Sequence, residues 1–105
     1  MDEQTIVLYV EDDSSSRRLV ERLLAHSGYK VYIAEDGLSG VTAAKKLLPH
    51  LVLMDINLPN LDGRVVTTRI KSIPHLSEIP IVALTSNNSQ ENRDLALAAG
   101  CYGFL

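Results

Sequence analysis

The segment LVLMDINLPNLDG, residues 51–63, decides which fold this chain of 105 residues can adopt. Four apolar residues, Leu51 to Met54, come directly before Asp55, and a turn-rich stretch follows that contains Pro59, Asp62 and Gly63. A short apolar run bounded by turn residues is typical of a strand that is buried on both faces of a sheet. Asp55 then lies at the end of that strand, where a buried carboxylate is costly unless it is paired or bound to a metal. A helix cap or a turn is the simpler explanation of a single aspartate, so the rest of the chain has to decide.

The remaining sequence alternates between apolar strand patterns and helical patterns. Predicted strands cover residues 5–10, 30–34, 51–54 and 81–84, and a fifth begins at Gly103. Predicted helices cover residues 14–27, about 38–48, 63–71 and 88–99. This alternation indicates βαβ units and a parallel sheet. We therefore expect one α/β domain over residues 1–105, a doubly wound open sheet with the flavodoxin-like strand order 2-1-3-4-5. Its more polar second strand should lie near an edge.

Apolar residues at three- and four-residue spacing mark the helix faces that we expect to turn toward the sheet. The first three helices carry such stripes: Leu19, Val20, Leu23 and Leu24; then Leu38, Val41, Ala44 and Leu48; then Val65, Val66, Ile70 and Ile73. Asp13 or Ser14 can cap the first helix, and Asn88 with Glu91 resembles a capping box at the fourth.

Composition excludes several classes of function. The net charge of -3 leaves no basic surface for nucleic acid, and no apolar run is long enough to cross a membrane. Cys101 is the single cysteine, so a disulfide framework is excluded and a reducing compartment is expected. These features predict a cytoplasmic domain without a membrane anchor.

The predicted topology gathers polar residues at one edge of the sheet. Open α/β sheets bind ligands beyond the carboxyl ends of their strands, where the strand order reverses. The first strand ends in Glu11, Asp12 and Asp13, the third in Asp55, and the fourth in Thr85. Neighbouring strands lie about 4.8 Å apart, so these carboxylates would repel one another unless a cation joins them. Oxygen ligands on a rigid edge suit Mg²⁺ and leave room for phosphate oxygens.

A carboxylate beside such an ion can act as a nucleophile toward phosphorus. Asp55 would then form an aspartyl phosphate, and Thr85 could donate a hydrogen bond to one of the phosphoryl oxygens. Each feature is weak alone, and their joint position on neighbouring strand ends makes the interpretation stronger.

Five motifs in order give the chain a close resemblance to the receiver domain of bacterial two-component response regulators. They are VLYVEDD (7–13), EDG (35–37), LVLMDINLPNLDG (51–63), PIVALTS (80–86) and AAGCYGF (98–104), so the resemblance covers the whole chain. It implies a phosphorelay protein that takes a phosphoryl group from a histidine kinase and regulates a partner or an output domain. It also implies self-catalysed transfer and self-dephosphorylation, so the protein would not be an enzyme acting on a separate substrate.

The resemblance also assigns roles to individual residues. Asp55 corresponds to the phosphoacceptor, Asp12 to the direct Mg²⁺ ligand and Glu11 to the acid that acts through water. Asn57 would offer its backbone carbonyl to the metal. Thr85 corresponds to the switch hydroxyl and Phe104 to the switch aromatic, which would transmit phosphorylation to the surface around helix 4 and strand 5. Asp13 is interpreted as a helix cap.

One departure concerns a lysine that receivers carry at the end of their fifth strand. Family spacing places it two residues beyond Leu105, and none of Lys30, Lys45, Lys46 and Lys71 lies where it could substitute. We therefore expect a truncated receiver with an incomplete fifth strand and no fifth helix. The sheet face left uncovered would favour association, for example as a homodimer.

Two other interpretations stay open. A Mg²⁺-dependent aspartyl phosphatase would need a general acid two residues after the nucleophile, where this chain has Asn57. A catalytically inert receiver fold that only docks proteins would show no effect of Mg²⁺ on its stability.

Overall fold

The computed structural model describes residues 4–58, 61–84 and 90–104 of the chain. Within them, five strands form one sheet: β1 (Ile6–Val10), β2 (Lys30–Ala34), β3 (Leu51–Asp55), β4 (Ile81–Leu84) and β5 (Gly103–Phe104). The α-helices of this part are α1 (Ser14–His26), α2 (Gly37–Leu47), α3 (Gly63–Lys71) and α4 (Gln90–Ala98), and a short 3₁₀ helix covers Pro74–Leu76.

The strand order is β2-β1-β3-β4-β5, and every pair is parallel. This confirms the predicted doubly wound sheet and the edge position of β2. The chain passes from β1 to β2 on one side and returns to β3 on the other, so the order reverses between β1 and β3. In that pair Val10 lies opposite Met54. The register brings the residues that follow both strands to the same edge.

The two faces of the sheet carry cores of different size. The larger core joins the β-strands to α2, α3 and α4, and it includes the fully buried Leu8, Val52 and Ile70. The smaller core lies under α1 and consists of Val7, Tyr9 and Leu53 with partly buried neighbours that include Val20 and Leu24. Alternate residues of a strand point to opposite faces, which explains why β1 contributes Val7 and Tyr9 to one core and Leu8 to the other.

The stripe predicted for α1 is only half correct. Val20 and Leu24 pack against the smaller core, whereas Leu19 and Leu23 are each 61% exposed. In the described part of the chain, α1 is the one α-helix on this side of the sheet. Leu19 and Leu23 therefore lie on the side of α1 that does not pack against the sheet.

The predictions for α2 and α3 also counted too many large side chains as buried. Leu38, Leu48 and Val65 are exposed, and the buried positions of α2 are Gly37, Gly40 and Ala44. Small residues let α2 approach the sheet closely, since a Cβ at Gly40 would lie 3.0 Å from a methyl carbon of Val10. The periodicity of large apolar residues misses a helix that packs through glycine and alanine.

Aspartates begin three of the helices. Asp13 accepts a hydrogen bond from the N–H of Ser16 at 2.8 Å, Asp36 from Ser39 at 2.8 Å and Asp62 from Arg64 at 2.8 Å. A side-chain oxygen in this position satisfies an N–H that the first turn of the helix leaves unpaired. The prediction that Asp13 is a cap is confirmed. The capping box predicted at Asn88 lies outside the described residues.

Candidate functional site

Three carboxylates meet at the carboxyl edge of the sheet, where β1 and β3 end. Glu11 follows Val10 and Asp55 follows Met54, so the parallel register brings Glu11 and Asp55 side by side. Asp12 lies one residue further along the same loop. Each of the three offers a carboxylate oxygen, and these oxygens lie within 4.8 Å of one another. The structure therefore brings together the three acids that the sequence predicted as metal ligands.

The three side chains differ in their exposure to solvent. Glu11 and Asp55 are each 9% exposed, while Asp12 is exposed. Two of the acids are thus enclosed by the ends of the strands and the third faces water. Through Asp12 the group of acids is accessible from solvent.

Hydrogen bonds fix the orientation of the two buried carboxylates. The N–H of Asn57 donates to Oδ1 of Asp55 at 3.0 Å. Glu11 accepts from the hydroxyl of Tyr9 through Oε1 at 3.1 Å and from the N–H of Asp13 through Oε2 at 3.4 Å. A buried polar group needs such partners, and they restrict its rotation.

Gly63 allows α3 to begin directly against the end of β3. Its N–H donates to the carbonyl of Ile56 at 2.9 Å, and a Cβ at this position would lie 2.8 Å from the Cα of Ile56 and closer still to the carbonyl oxygen of Asp55. Real Cβ atoms essentially never approach other atoms that closely, so this position requires glycine. Because Gly63 has no Cβ, α3 can approach the backbone of Asp55 closely.

Arg17 links the acidic loop to α1. Its Nη1 donates to the carbonyl of Asp12 at 2.7 Å and to the carbonyl of Glu11 at 3.2 Å, and its Nη2 lies 3.5 Å from Oε1 of Glu35. The guanidinium therefore joins the loop after β1 to the residue after β2. We interpret Arg17 as a brace that restricts the backbone bearing two of the three acids.

The environment of Glu11 changes the pKa of its carboxyl group. Burial and the neighbouring Asp55 raise the pKa of Glu11 to about 7, although the hydroxyl of Tyr9 and the N–H of Asp13 lower it. A raised carboxyl pKa means that the ionised form is destabilised where it stands. A cation placed among the three acids would reverse this effect and keep them ionised.

The donor set fits a small hard cation. Mg²⁺ takes oxygen ligands at about 2.1 Å in octahedral geometry, so two ligands of one ion lie roughly 3 to 4 Å apart. The three oxygens, within 4.8 Å of one another, could reach one ion directly or through a water molecule. The chemistry and spacing of the acids are therefore those of a divalent-cation site that has one or two protein carboxylates and several waters.

Comparison with known proteins agrees with the geometry. Residues 7–105 match the family model described as response regulator receiver domain. The chain belongs to this family. The match covers both the acidic loop after β1 and Asp55, the last residue of β3.

Curated relatives place this receiver domain in proteins of very different length. It is 43% identical over 81 residues to transcription factor SKN7 of Saccharomyces cerevisiae, a match that covers 77% of this chain and 13% of that protein. It is 33% identical to response regulator Rcp1 of Synechocystis sp., with 92% of this chain and 74% of the relative covered. The receiver domain thus spans a small part of one relative and most of the other.

A solved structure shows a metal ion in a similar receiver. The receiver domain of the sensor histidine kinase PA1611 of Pseudomonas aeruginosa has a magnesium ion coordinated in its active site cleft. Its TM-score against this chain is 0.90 at 34% identity, over 98% of this chain and 84% of that one.

No helix within the described ranges of our chain is long and apolar enough to span a membrane.

The other residues predicted for the site are placed only in part. Asn57 is exposed and follows Asp55 by two residues, and its contact with a metal stays a prediction. Thr85 lies outside the described residues. Phe104 belongs to β5, where it pairs with Ala83, but its side chain is not among those described. Tyr9 lies in the predicted strand 5–10 and Arg17 in the predicted helix 14–27, and neither pattern indicated that their side chains contact the acidic loop.

Proposed function

We propose that this receiver domain accepts a phosphoryl group on Asp55 from a phosphohistidine of a histidine kinase or phosphotransfer protein. The observation that carries the proposal is the convergence of Glu11, Asp12 and Asp55, whose carboxylate oxygens lie within 4.8 Å of one another. A receiver needs an acceptor carboxylate and a cation site in one place, and this group of acids supports the proposal that both lie at this edge of the sheet. The phosphorelay would operate in the cytoplasm.

The chain's own residues divide the work between binding and reaction. Asp12, which faces water, would bind Mg²⁺ directly, Glu11 would act through a water molecule, and Asn57 would contribute its backbone carbonyl. Asp55 is held in one orientation by the N–H of Asn57 at 3.0 Å. Its carboxylate oxygen attacks phosphorus, a P–O bond forms, and the P–N bond to the donor histidine breaks. The electron pair of that bond leaves with the imidazole, which then takes up a proton.

Bound Mg²⁺ would offset the charge that develops on the transferred phosphoryl group. The three groups whose oxygens meet here are all carboxylates, so none of them can neutralise the charge of an incoming phosphoryl group. Hydrolysis of the same aspartyl phosphate by water would return the domain to its starting state, so turnover is self-limited and needs no separate substrate.

Phosphorylation would be read at the surface formed by α4 and β5. Thr85 would turn toward the phosphoryl oxygens, and Phe104 would repack as the chain shifts between two states. Such a change biases an equilibrium that already exists rather than creating a new fold. A downstream protein, an output domain or a second copy of the chain would recognise the shifted surface.

Incubation with acetyl phosphate, followed by mass spectrometry, tests the proposal. We expect a gain of one phosphoryl mass that requires Mg²⁺, is abolished by EDTA and is lost on base treatment. Asp55→Asn should remove the gain completely. Asp62→Asn is the matched control, because Asp62 belongs to the same loop but caps α3, and it should leave the gain unchanged.

Two results would contradict the proposal. One is the absence of any phosphorylated species in the presence of Mg²⁺, and the other is a gain of mass that persists in Asp55→Asn. Steady release of phosphate from a phosphate monoester would instead favour the phosphatase interpretation.

A further inference from the structure

Tyr9 is a buried aromatic residue whose polar end reaches the acidic site. Its side chain is 2% exposed and packs in the smaller core with Val7 and Leu53. The hydroxyl donates a hydrogen bond to Oε1 of Glu11 at 3.1 Å. A ring in that core would pack equally well as phenylalanine, so the hydroxyl itself calls for an explanation.

The geometry of β1 explains how a core residue can contact the site. Tyr9 and Glu11 are two residues apart, and residues at this spacing point to the same face of an extended strand. Tyr9 also pairs with Leu53 of β3, two residues before Asp55. The phenol therefore extends along the strand toward the two buried carboxylates, and its hydroxyl lies on the core side of Glu11.

The two oxygens of Glu11 have separate donors. Oε1 accepts from the hydroxyl of Tyr9, and Oε2 accepts from the N–H of Asp13 at 3.4 Å. Burial, and then the negative charge of Glu11, raise the pKa of the Tyr9 phenol above its usual range. The hydroxyl therefore stays protonated and serves as a donor to Oε1 of Glu11. Of the two donors, the tyrosine makes the shorter contact.

We propose that Tyr9 is a positioning residue that holds the Glu11 carboxylate toward the cation site through its hydroxyl. The inference rests on the proposed function, since it assigns a role within that same site. Groups that hydrogen-bond to metal-binding side chains orient them, and their loss costs roughly 10- to 100-fold in metal affinity when the contact is direct. Because Glu11 is expected to act through water, we place the effect of Tyr9 near the lower end of that range.

Titration of the full chain with Mg²⁺, followed by the amide chemical shift of Asn57, measures the effect. Tyr9→Phe removes only the hydroxyl, and we expect the dissociation constant for Mg²⁺ to rise about 10-fold. Tyr29→Phe is the matched control, because Tyr29 is 40% exposed and lies directly before β2, at the end of the sheet opposite to the acids. It should bind Mg²⁺ as the unmodified chain does.

A double variant separates positioning from a general loss of structure. Aspartate is one methylene shorter than glutamate, so in Glu11→Asp the carboxylate should no longer reach the hydroxyl of Tyr9. Adding Tyr9→Phe to Glu11→Asp should then leave the Mg²⁺ affinity of Glu11→Asp unchanged. If Tyr9→Phe weakens Mg²⁺ binding by Glu11→Asp as much as it weakens binding by the unmodified chain, the proposal is contradicted, because the hydroxyl would then act without the Glu11 side chain.

The remaining outcomes are distinct from failure of the proposed function. If the unmodified chain shows no Mg²⁺ binding, the proposed function itself fails. If it binds and Tyr9→Phe binds equally well, only the role of Tyr9 is overturned. Loss of the folded amide spectrum in Tyr9→Phe would also overturn it, since the hydroxyl would then support the fold rather than the site.

Discussion

Two sets of acidic residues lie at the carboxyl ends of the strands or in the loops that follow them, and their roles in the fold are opposite. The cap acids, Asp13, Asp36 and Asp62, each accept an N–H from the first turn of a helix. The site acids, Glu11, Asp12 and Asp55, point their oxygens at one another. Hydrogen bonds from backbone N–H groups lower the pKa of Asp13 and Asp36, and the side chain of Arg64 lowers that of Asp62.

The difference shows which acids the fold needs and which it tolerates. An ionised cap acid is stabilised by the folded state, whereas burial and Asp55 raise the pKa of Glu11 and so make its ionised form a cost. The cap acids therefore stabilise the folded structure. The ionised form of Glu11 is destabilised by the metal-free fold, and binding of a cation beside it would remove that cost.

Gly63 lies between the two sets, and its replacement should have the largest effect on stability. In Gly63→Ala the new Cβ would lie 2.8 Å from the Cα of Ile56, so α3 or the end of β3 has to move. We expect unfolding to become easier by about 3 kcal/mol, which is the upper part of the range for overpacked sites. Urea unfolding measures the change.

Gly103→Ala is the control for this substitution, because a Cβ there would meet nothing nearer than Val82 at 4.0 Å. Gly103→Ala should lower the free energy of unfolding far less than Gly63→Ala does. Equal stabilities of the two variants would show that α3 does not pack against Asp55 as closely as described.

Removal of a cap acid should destabilise the protein by a smaller amount. Asp62→Ala leaves the N–H of Arg64 without its partner and breaks the ion pair with the Arg64 guanidinium, whose closest atoms lie 2.6 Å apart. The expected loss is about 1 kcal/mol, as for other N-caps. Asp62→Asn keeps a good capping oxygen and should retain most of the stability. If both variants melt together, the ion pair rather than the cap is responsible.

Removal of a site acid should have the opposite sign. Asp55→Asn takes away the charge that raises the pKa of Glu11, so in EDTA at pH 8 the variant should be more stable than the unmodified chain. We expect a gain on the order of 1 kcal/mol, because each unit of pKa is worth about 1.4 kcal/mol and solvent at the edge of the sheet screens part of it. Thermal melts in EDTA test the sign, and a loss of stability would show that Asp55 is structural.

The raised pKa of Glu11 also predicts a dependence of stability on pH. The pKa of Glu11 is raised from 4.5 to about 7 on folding. The folded state therefore holds a proton that the unfolded state releases, and in EDTA the contribution of Glu11 to stability is lost as the pH rises between these values. The cap acids act in the other direction, since their lowered pKa makes their contribution disappear on acidification.

Glu11→Gln isolates this part of the pH profile. The decline above pH 5 should be weaker in the variant than in the unmodified chain. Mg²⁺ requires the ionised acid, so its stabilising effect on the unmodified chain should be larger at pH 8 than at pH 6. Identical profiles for both proteins would contradict the assignment.

The fold and the grouping of the acids could be predicted because they depend on patterns that a sequence carries. Alternating apolar runs and helical patterns predict a parallel sheet of βαβ units, and in the flavodoxin-like strand order Glu11, Asp12 and Asp55 come to one edge. The side of a helix that packs was predicted less well. Leu19 and Leu38 were expected to face the sheet and are exposed, because helix approach depends on how much surface lies beneath α1 and on the small residues of α2.

Contacts made by one atom of a side chain were missed for a different reason. Tyr9 reads as a core residue because most of its surface is apolar, and only the position of Glu11 two residues later indicates where its hydroxyl goes. Arg17 reads as a solvated helix face, although its guanidinium reaches back to two carbonyls of the acidic loop. Spacing places residues near each other, but the length and rotation of a side chain decide which atoms meet.

The central claim, that the site acids form a cation site and the cap acids do not, is tested most directly by amide chemical shifts during titration with Mg²⁺. The N–H groups of Asp13 and Asn57 donate to Glu11 and Asp55, and the N–H of Ser39 donates to the cap acid Asp36. We predict saturable shifts at Asp13 and Asn57 at millimolar Mg²⁺, little change at Ser39, and no saturation in Asp12→Asn. Absence of shifts at Asp13 and Asn57, or equal shifts at all three amides, would contradict the claim.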